Sequence, residues 1–164
     1  MKDIIVIIGP TTSGKTALSI KLAKKHNGEV ISADSRQVYK YINLASGKVT
    51  KKEMGRIKHH LLDVVDPNKV FTVNDFKNKA FTVIEEIISK GKTPIICGGT
   101  GFYIDALLHD SQFPEVEPDL KLRKSLEKKP VEELFLMLGK LDSNRAENID
   151  KNNPVRLIRA IEIA

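Results

Sequence analysis

Gly9-Pro10-Thr11-Thr12-Ser13-Gly14-Lys15-Thr16 decides the fold class of this chain. The stretch satisfies G-x-x-x-x-G-K-[ST], a loop that cradles phosphates when a strand precedes it and a helix follows. Both neighbours are legible. Ile4-Ile5-Val6-Ile7-Ile8 reads as a buried strand, and Ala17 to Lys25 as an amphipathic helix. In such a loop, successive backbone N–H groups and a helix N-terminus converge on one point and favour a di- or triphosphate there. Gly9, Pro10, Thr11, Thr12, Ser13, Gly14, Lys15 and Thr16 therefore form the candidate phosphate-binding set. Lys15 is expected to reach the outer phosphate, and the Thr16 hydroxyl to ligate a Mg²⁺ ion shared with it. The bland alternative is a glycine-rich turn that merely joins a strand to a helix. The whole motif standing in register between the two elements argues against it.

Outward from the loop, Glu29-Val30-Ile31-Ser32-Ala33 reads as a second strand that delivers Asp34-Ser35-Arg36-Gln37 to its carboxyl end. Ligands of open α/β sheets bind beyond that end, so Asp34 and the phosphate loop are expected to line one cleft. An acid there can hold a hydrated Mg²⁺, accept a proton, or simply cap the next turn. Val38 to Lys58 is polar, basic and weakly periodic. His59-His60 is read as an ordinary loop or strand-edge pair, since adjacent side chains do not share a helix face and no carboxylate set accompanies them. Asp66-Pro67-Asn68 marks a turn. Thr72 or Asn74 can cap a helix over Asp75–Lys90, with Phe76, Ala80, Val83, Ile84, Ile87 and Ile88 on its buried face and Gly91 as its stop. Pro94-Ile95-Ile96-Cys97 is a buried strand with Cys97 as a small core residue. It emerges at Gly98-Gly99-Thr100-Gly101 before a helix over Phe102–Leu108, a second strand, glycine-rich turn and helix that should open on the same side as the first.

The expected architecture is α/β, a P-loop NTPase-like doubly wound parallel sheet over residues 1–113 with an appended helical domain over 114–164. In the second part, Pro114 and Pro118 mark a linker and helices are expected over Asp119–Lys128, Val131–Leu141, Ser143–Ile149 and Pro154–Ala164. Asn153 caps the last of these, with Pro154 at its first position. That helix carries Arg156 and Arg159 on one face, and no stop signal follows it, so the chain is expected to belong to something longer.

Composition narrows the classes. A net charge of +6 fits a polyanionic partner. With no tryptophan and few aromatic residues, no stacking platform for single-stranded nucleic acid is evident. The single cysteine excludes an internal disulfide and a cysteine-based metal cluster. No apolar run reaches about 18 residues, the length a membrane span requires, and the N-terminus runs from Met1-Lys2-Asp3 straight into the strand of the phosphate loop. No membrane association, a cytoplasmic location and a monomeric state are the expectations. A nucleotide-dependent switch fares badly, because no N/T-K-x-D-type stretch and no strand ending in D-x-x-G is present. A small-molecule kinase and a transferase using some other diphosphate stay open. Against the kinase, the strand Ile95–Cys97 ends in glycine where P-loop enzymes usually hold Mg²⁺ with an aspartate.

The ordered set of motifs resembles the tRNA dimethylallyltransferase (tRNA isopentenyltransferase) family. The matching stretches are Gly9 to Thr16, Ile31-Ser32-Ala33-Asp34-Ser35-Arg36-Gln37-Val38-Tyr39, His59-His60-Leu61-Leu62-Asp63-Val64, Gly98-Gly99-Thr100-Gly101-Phe102-Tyr103, and Asn153 to Glu162. Ala45-Ser46-Gly47-Lys48-Val49-Thr50 departs from the family's usual Gly-Thr-Ala-Lys-Pro-Thr. The resemblance implies transfer of a dimethylallyl group from dimethylallyl diphosphate to the exocyclic N6 of adenosine 37, in the anticodon stem-loop of tRNA. It implies that Asp34, Lys15 and Thr100 are catalytic and that Mg²⁺ is the cofactor, held on Thr16. It implies further that Asp34, Ser35, Arg36, Gln37 and Thr100 meet the tRNA near the target base. Val155, Arg156, Leu157, Ile158 and Arg159 would meet it on the last helix. The family runs to roughly twice a 150-residue domain, so this length is expected to be impaired as an enzyme by itself. The alternatives are an adenylate isopentenyltransferase acting on free adenine nucleotides, and a P-loop small-molecule kinase.

Overall fold

The computed structural model describes residues 3–109, 113–114 and 116–164. Met1 and Lys2, read as leading into the first strand, and residues 110–112, beside the domain boundary read from the sequence, lie outside the described residues. Two compact units are present, Met1–Gln112 and Phe113–Ala164.

The first unit is built on four strands, β1 (Ile5–Ile8), β2 (Gly28–Ser32), β3 (His59–His60) and β4 (Thr93–Gly98). They lie in the order β1-β4-β2-β3 with every pairing parallel. All five residues of β2 are buried, as expected of a central strand covered on both faces. Alternation of side chains then assigns each strand residue to a layer. Val30 and Ile95 pack with Ile7 and Ala23 beneath α1 (Lys15–Lys25). Ile31 and Ile96 pack on the opposite face against α3 (Val73–Ser89) and α4 (Gly101–Leu108), through Phe76, Ala80, Ile84, Ile87, Ile104 and Leu107. Tyr103 stacks on Phe76 with ring centroids 4.3 Å apart, and burial pushes its hydroxyl up to about 12.

Boundaries follow capping chemistry. α1 starts inside the loop motif, at Lys15 rather than Ala17, because Gly14 takes the left-handed conformation (φ 82°) and turns the chain into the helix. α3 starts at Val73 because Thr72, not Asn74, is its cap, in a reciprocal box with Asp75. Ile88, expected on the buried face of α3, stands 37% exposed at its C-terminal end, while Lys77 is buried on that helix instead. Gly91 (φ 72°) ends the segment as expected. Within the stretch read as weakly periodic, α2 (Lys51–Met54) forms behind a Thr50/Glu53 capping box. The signature T-x-x-E was present in the sequence.

The second unit contains α5 (Leu120–Leu126), α6 (Val131–Leu141), α7 (Ser143–Asn148) and α8 (Pro154–Ile163). Asn153 caps α8 by accepting from the Arg156 amide, and Pro154 fills the first turn, as read from the sequence. α5 ends before Lys128 because the chain turns through Lys129 into Pro130. Leu126, Leu134, Leu138, Leu157, Ile158 and Ile161 form a separate core. At its edge the carboxylate of Glu162, 2% exposed, receives Arg123 through two bonds of 2.8 and 2.7 Å, the Asp119 amide at 2.7 Å, and Arg159. Arg123 foremost, against the cost of burial, holds the Glu162 carboxyl at about 2.

Candidate active site

β1 and β4 are adjacent and parallel, with Ile8 opposite Gly98. The two glycine-rich turns that follow them therefore open at the same end of the sheet, and β2 brings Asp34 up beside them. Thr11, Thr12, Lys15 and Thr16 line a cleft of about 570 Å³ together with Asp34, Ser35, Arg36, Gln37 and Gly98–Thr100. Ser13 and Gly14 instead face the outer side of the loop, where Gly47 and Glu53 lie opposite. Thr12 is held at φ 66°, a strained position for a residue that is not glycine. No side chain caps α1 and no acidic residue stands in its first turn, so no anion of the helix itself competes with a phosphate there. The Lys15 ammonium is folded back on its own loop, onto the Pro10 carbonyl and, at 3.5 Å, the Ser13 hydroxyl.

The second turn works by close approach. A Cβ at Gly98 would stand 2.0 Å from the Ala33 carbonyl oxygen, so only glycine lets β2 and β4 lie this near. Ala33 donates to Cys97 O (2.9 Å) and accepts from the Thr100 amide (3.2 Å) across that gap. Thr100 Oγ1 then accepts from the Ser35 amide at 3.0 Å and donates to Ser35 Oγ at 3.3 Å. Thr100 thereby pins the turn that carries Asp34. Asp34 Oδ1 accepts from the Arg36 and Gln37 amides at 2.9 and 3.3 Å, so this oxygen closes the turn. This oxygen meets the capping reading of Asp34. Gln37 is engaged on three sides, with Ser32 Oγ at 3.1 Å and the Ser46 and Gly47 carbonyls at 3.3 and 3.4 Å. Ser35 and Arg36 are exposed at the cleft.

Two residues behave differently from their sequence reading. Cys97 is half-buried and lines the cleft instead of lying wholly in the core. Burial raises its thiol pKa, against a bond to Ser19 and the charge of Lys15. His59 is at the sheet edge as expected, but it also lines the cleft, because its register opposite Val30 turns it to the α1 face. Its Nδ1 lies 3.0 Å from the Ile57 carbonyl, which can only accept, so Nδ1 carries the proton. Among the described residues its Nε2 is buried without a hydrogen-bond partner, and burial lowers its pKa. Nothing in the sequence pattern signalled this, since it depends on strand register. His60 turns away and pairs with Glu29 at 2.7 Å. Among the described residues no cluster of three or more His, Cys, Asp or Glu is placed to hold a metal. A Mg²⁺ ion bound mainly through ligand oxygens and water needs fewer protein groups, and the exposed Thr16 hydroxyl in the cleft fits that need.

On α8, Leu157 and Ile158, expected to meet tRNA, are buried in the core of the helical unit. Arg159 is bonded to Glu162 and, at 2.8 Å, to the Val116 carbonyl. Val155 and Arg156 are the members of this stretch whose side chains are exposed.

A parallel sheet covered on both faces, with a phosphate loop after β1 and a second glycine turn beside it, defines a P-loop NTPase-like α/β protein. A model of the IPP transferase family matches residues 37–164, and the chain belongs to that family. The tRNA dimethylallyltransferase of Acetivibrio thermocellus is 47% identical over 167 residues, covering 99% of this chain and 53% of that protein. That of Exiguobacterium sibiricum is 51% identical, covering 99% and 54%. Among solved structures, the full-length tRNA isopentenylpyrophosphate transferase from Bacillus halodurans superposes with a TM-score of 0.69 at 41% identity, over 99% of this chain and 55% of that one. A eukaryotic dimethylallyltransferase acting on tRNA superposes with a TM-score of 0.85 at 36% identity, over 99% and 41%. The chain spans about half the length of the curated relatives it matches. No helix among the described residues is long and apolar enough to cross a membrane.

Proposed function

We propose that this chain carries the donor site and the proton acceptor for transfer of a dimethylallyl group from dimethylallyl diphosphate to N6 of adenosine 37 in tRNA. One observation carries the reading. A single cleft joins the phosphate loop to a carboxylate whose turn is pinned by Thr100.

In the donor, the bond between C1 and the diphosphate oxygen breaks as the N6–C1 bond forms, and charge builds on the departing diphosphate. The open N-terminus of α1 and Lys15 stand where that charge develops, and preorganised donors of this kind lower such barriers. Lys15 has to exchange its Pro10 carbonyl for a phosphate oxygen. Thr16 Oγ1 would hold Mg²⁺, which when bound neutralises part of the diphosphate charge. N6 must shed a proton, and the Asp34 oxygen not committed to the Arg36 and Gln37 amides is available to receive it. Thr100 holds that carboxylate in place through Ser35, and Ser35 and Arg36 face the position of the acceptor base. N6 has to leave the anticodon stack to enter this cleft, which is the energetic logic of base extrusion. The helical unit is read as tRNA-binding, with exposed Arg156 as a phosphate contact. The same reading places the protein in the cytoplasm with its substrate.

The test offers labelled dimethylallyl diphosphate or labelled ATP to the protein, with a tRNA stem-loop, AMP and a hydroxyl compound in parallel. Label moving from dimethylallyl diphosphate into the stem-loop is the expected result. Label moving only from ATP, or only into AMP, overturns the reading.

A further inference from the structure

The segment between Tyr39 and Lys48 holds two large apolar side chains in solvent and is too well anchored to hide them. Tyr41 is 82% exposed and Leu44 97% exposed. Tyr41 also sits at φ 66°, a conformation that bulky residues avoid and that costs about 1 kcal/mol or more. A loose loop would relax this strain, but here the frame is bonded throughout. The Lys40 amide donates to Val65 O at 2.9 Å. The Lys48 ammonium, whose side chain is 5% exposed, donates to Tyr39 O at 2.7 Å and Asp63 Oδ1 at 2.6 Å. Ser46 Oγ donates to Ile42 O, and Gln37 ties Ser46 back to the strand that carries Asp34. Leu44 lines the same cleft as Asp34.

We infer that Tyr41 and Leu44 form a stacking lip for an unstacked base of the RNA that enters the cleft. The inference rests on the RNA-modifying reading above. One ring and one leucine are too small for a specific protein interface, which buries on the order of 1,000 Å² or more. A nucleobase has the matching size and a flat face, and aromatic side chains receive such bases in single-stranded RNA. Basic residues on either side of the lip in sequence, with Arg36 lining the cleft beside Leu44, suit the attached phosphates. Arg36, Lys51, Lys52 and Arg56 are all exposed and enter no hydrogen bond or ion pair through their side chains among the described residues. The lip thus adds a shape-selective contact that the phosphate loop and Asp34 do not provide.

Binding of a tRNA anticodon stem-loop is measured for the unaltered chain and for Tyr41→Phe, Tyr41→Asn and Leu44→Thr. Asparagine tolerates the left-handed backbone and has no ring. Tyr41→Asn is expected to weaken RNA binding about tenfold or more while the unfolding midpoint stays level or rises. Tyr41→Phe is expected to bind as the unaltered chain, and Leu44→Thr to lose affinity severalfold. The slope of affinity against salt should be the same for all, because no phosphate contact is removed. Wild-type affinity in Tyr41→Asn, a changed salt slope, or a change in oligomeric state in place of RNA affinity each overturns the lip and leaves the functional reading standing. Failure of the unaltered chain to bind RNA at all while it binds dimethylallyl diphosphate removes the RNA partner and the lip together.

Discussion

Asp34 closes its turn with one carboxylate oxygen and is proposed to take a proton on the other, and substitutions can separate the two roles. Oδ1 closes the turn on the Arg36 and Gln37 amides, while the second oxygen is the proposed proton acceptor. Asparagine keeps the carbonyl oxygen that closes the turn but is not a base. Asp34→Asn should fold with stability within about 0.5 kcal/mol of the parent, bind diphosphate normally and lose at least about a hundredfold in turnover. Asp34→Ala should lose the turn as well, at a further cost of about 1 kcal/mol. Denaturant titration beside single-turnover assays reads both quantities, and full turnover in Asp34→Asn would remove Asp34 as the base. Gly98 gives the sharper stability test. Its missing side chain is what lets Ala33 approach, so Gly98→Ala should cost about 3 kcal/mol by overpacking. Gly99, with its nearest contact at 3.5 Å, should accept alanine at little cost. Thermal unfolding of the two variants checks the contrast. At this scale the phosphate loop was legible because its signal is local: one motif, one strand before it, one helix after it. The cleft position of His59 and the bond from Arg159 to the Val116 carbonyl were not, because the first depends on strand register and the second on a partner 43 residues away.

β2 shows how an element's ends divide the work of a strand. Its carboxyl end delivers Asp34 to the cleft, and its amino end buries Glu29 between His60 on β3 (2.7 Å) and Lys92 beside β4 (2.6 Å). Burial by itself pushes the Glu29 pKa up. The hydrogen bonds from Lys92 and His60, with their charges, outweigh it and hold the group at about 2. A carboxyl depressed in the folded state stabilises it above the unfolded value, and that contribution fades as pH falls from about 4.5 towards about 2. Glu29→Gln should therefore flatten the acid limb of the stability profile over that window. It should also lower stability at neutral pH by about 2 kcal/mol, since two donors lose a charged acceptor. Urea unfolding at a series of pH values measures both. His59 adds to the same limb at higher pH. Its lowered pKa means its contribution is complete above about 6.5 and falls away as acid forces a proton onto the buried ring. The strands themselves were readable from apolar runs and glycine turns, as was the amphipathic α3. The order β1-β4-β2-β3 was not, because nothing local states that the last strand inserts between the first two, and the Glu29 cluster follows from that insertion.

At the scale of the molecule, the two units have separate cores with no residue in common. Ile31, Phe76 and Ile96 anchor the large cluster of the first, and Leu126, Leu134, Leu138 and Leu157 that of the second. The phosphate loop, Asp34 and the whole described cleft belong to the first. A ligand that binds only a folded state stabilises that state by mass action, by about 2.7 kcal/mol when its concentration is a hundred times its dissociation constant. Calorimetry of the chain should therefore show two transitions, and inorganic diphosphate should raise the midpoint of the one that belongs to the sheet. Leu138→Ala removes a fully buried side chain from the helical core and should lower the other transition, at a cost of about 3 kcal/mol. Lys15→Ala should abolish the ligand-dependent rise without moving the helical transition. A single cooperative transition that shifts as a whole with diphosphate would show instead that the units unfold together, and the phosphate site would then be energetically coupled to the helices proposed to meet the RNA.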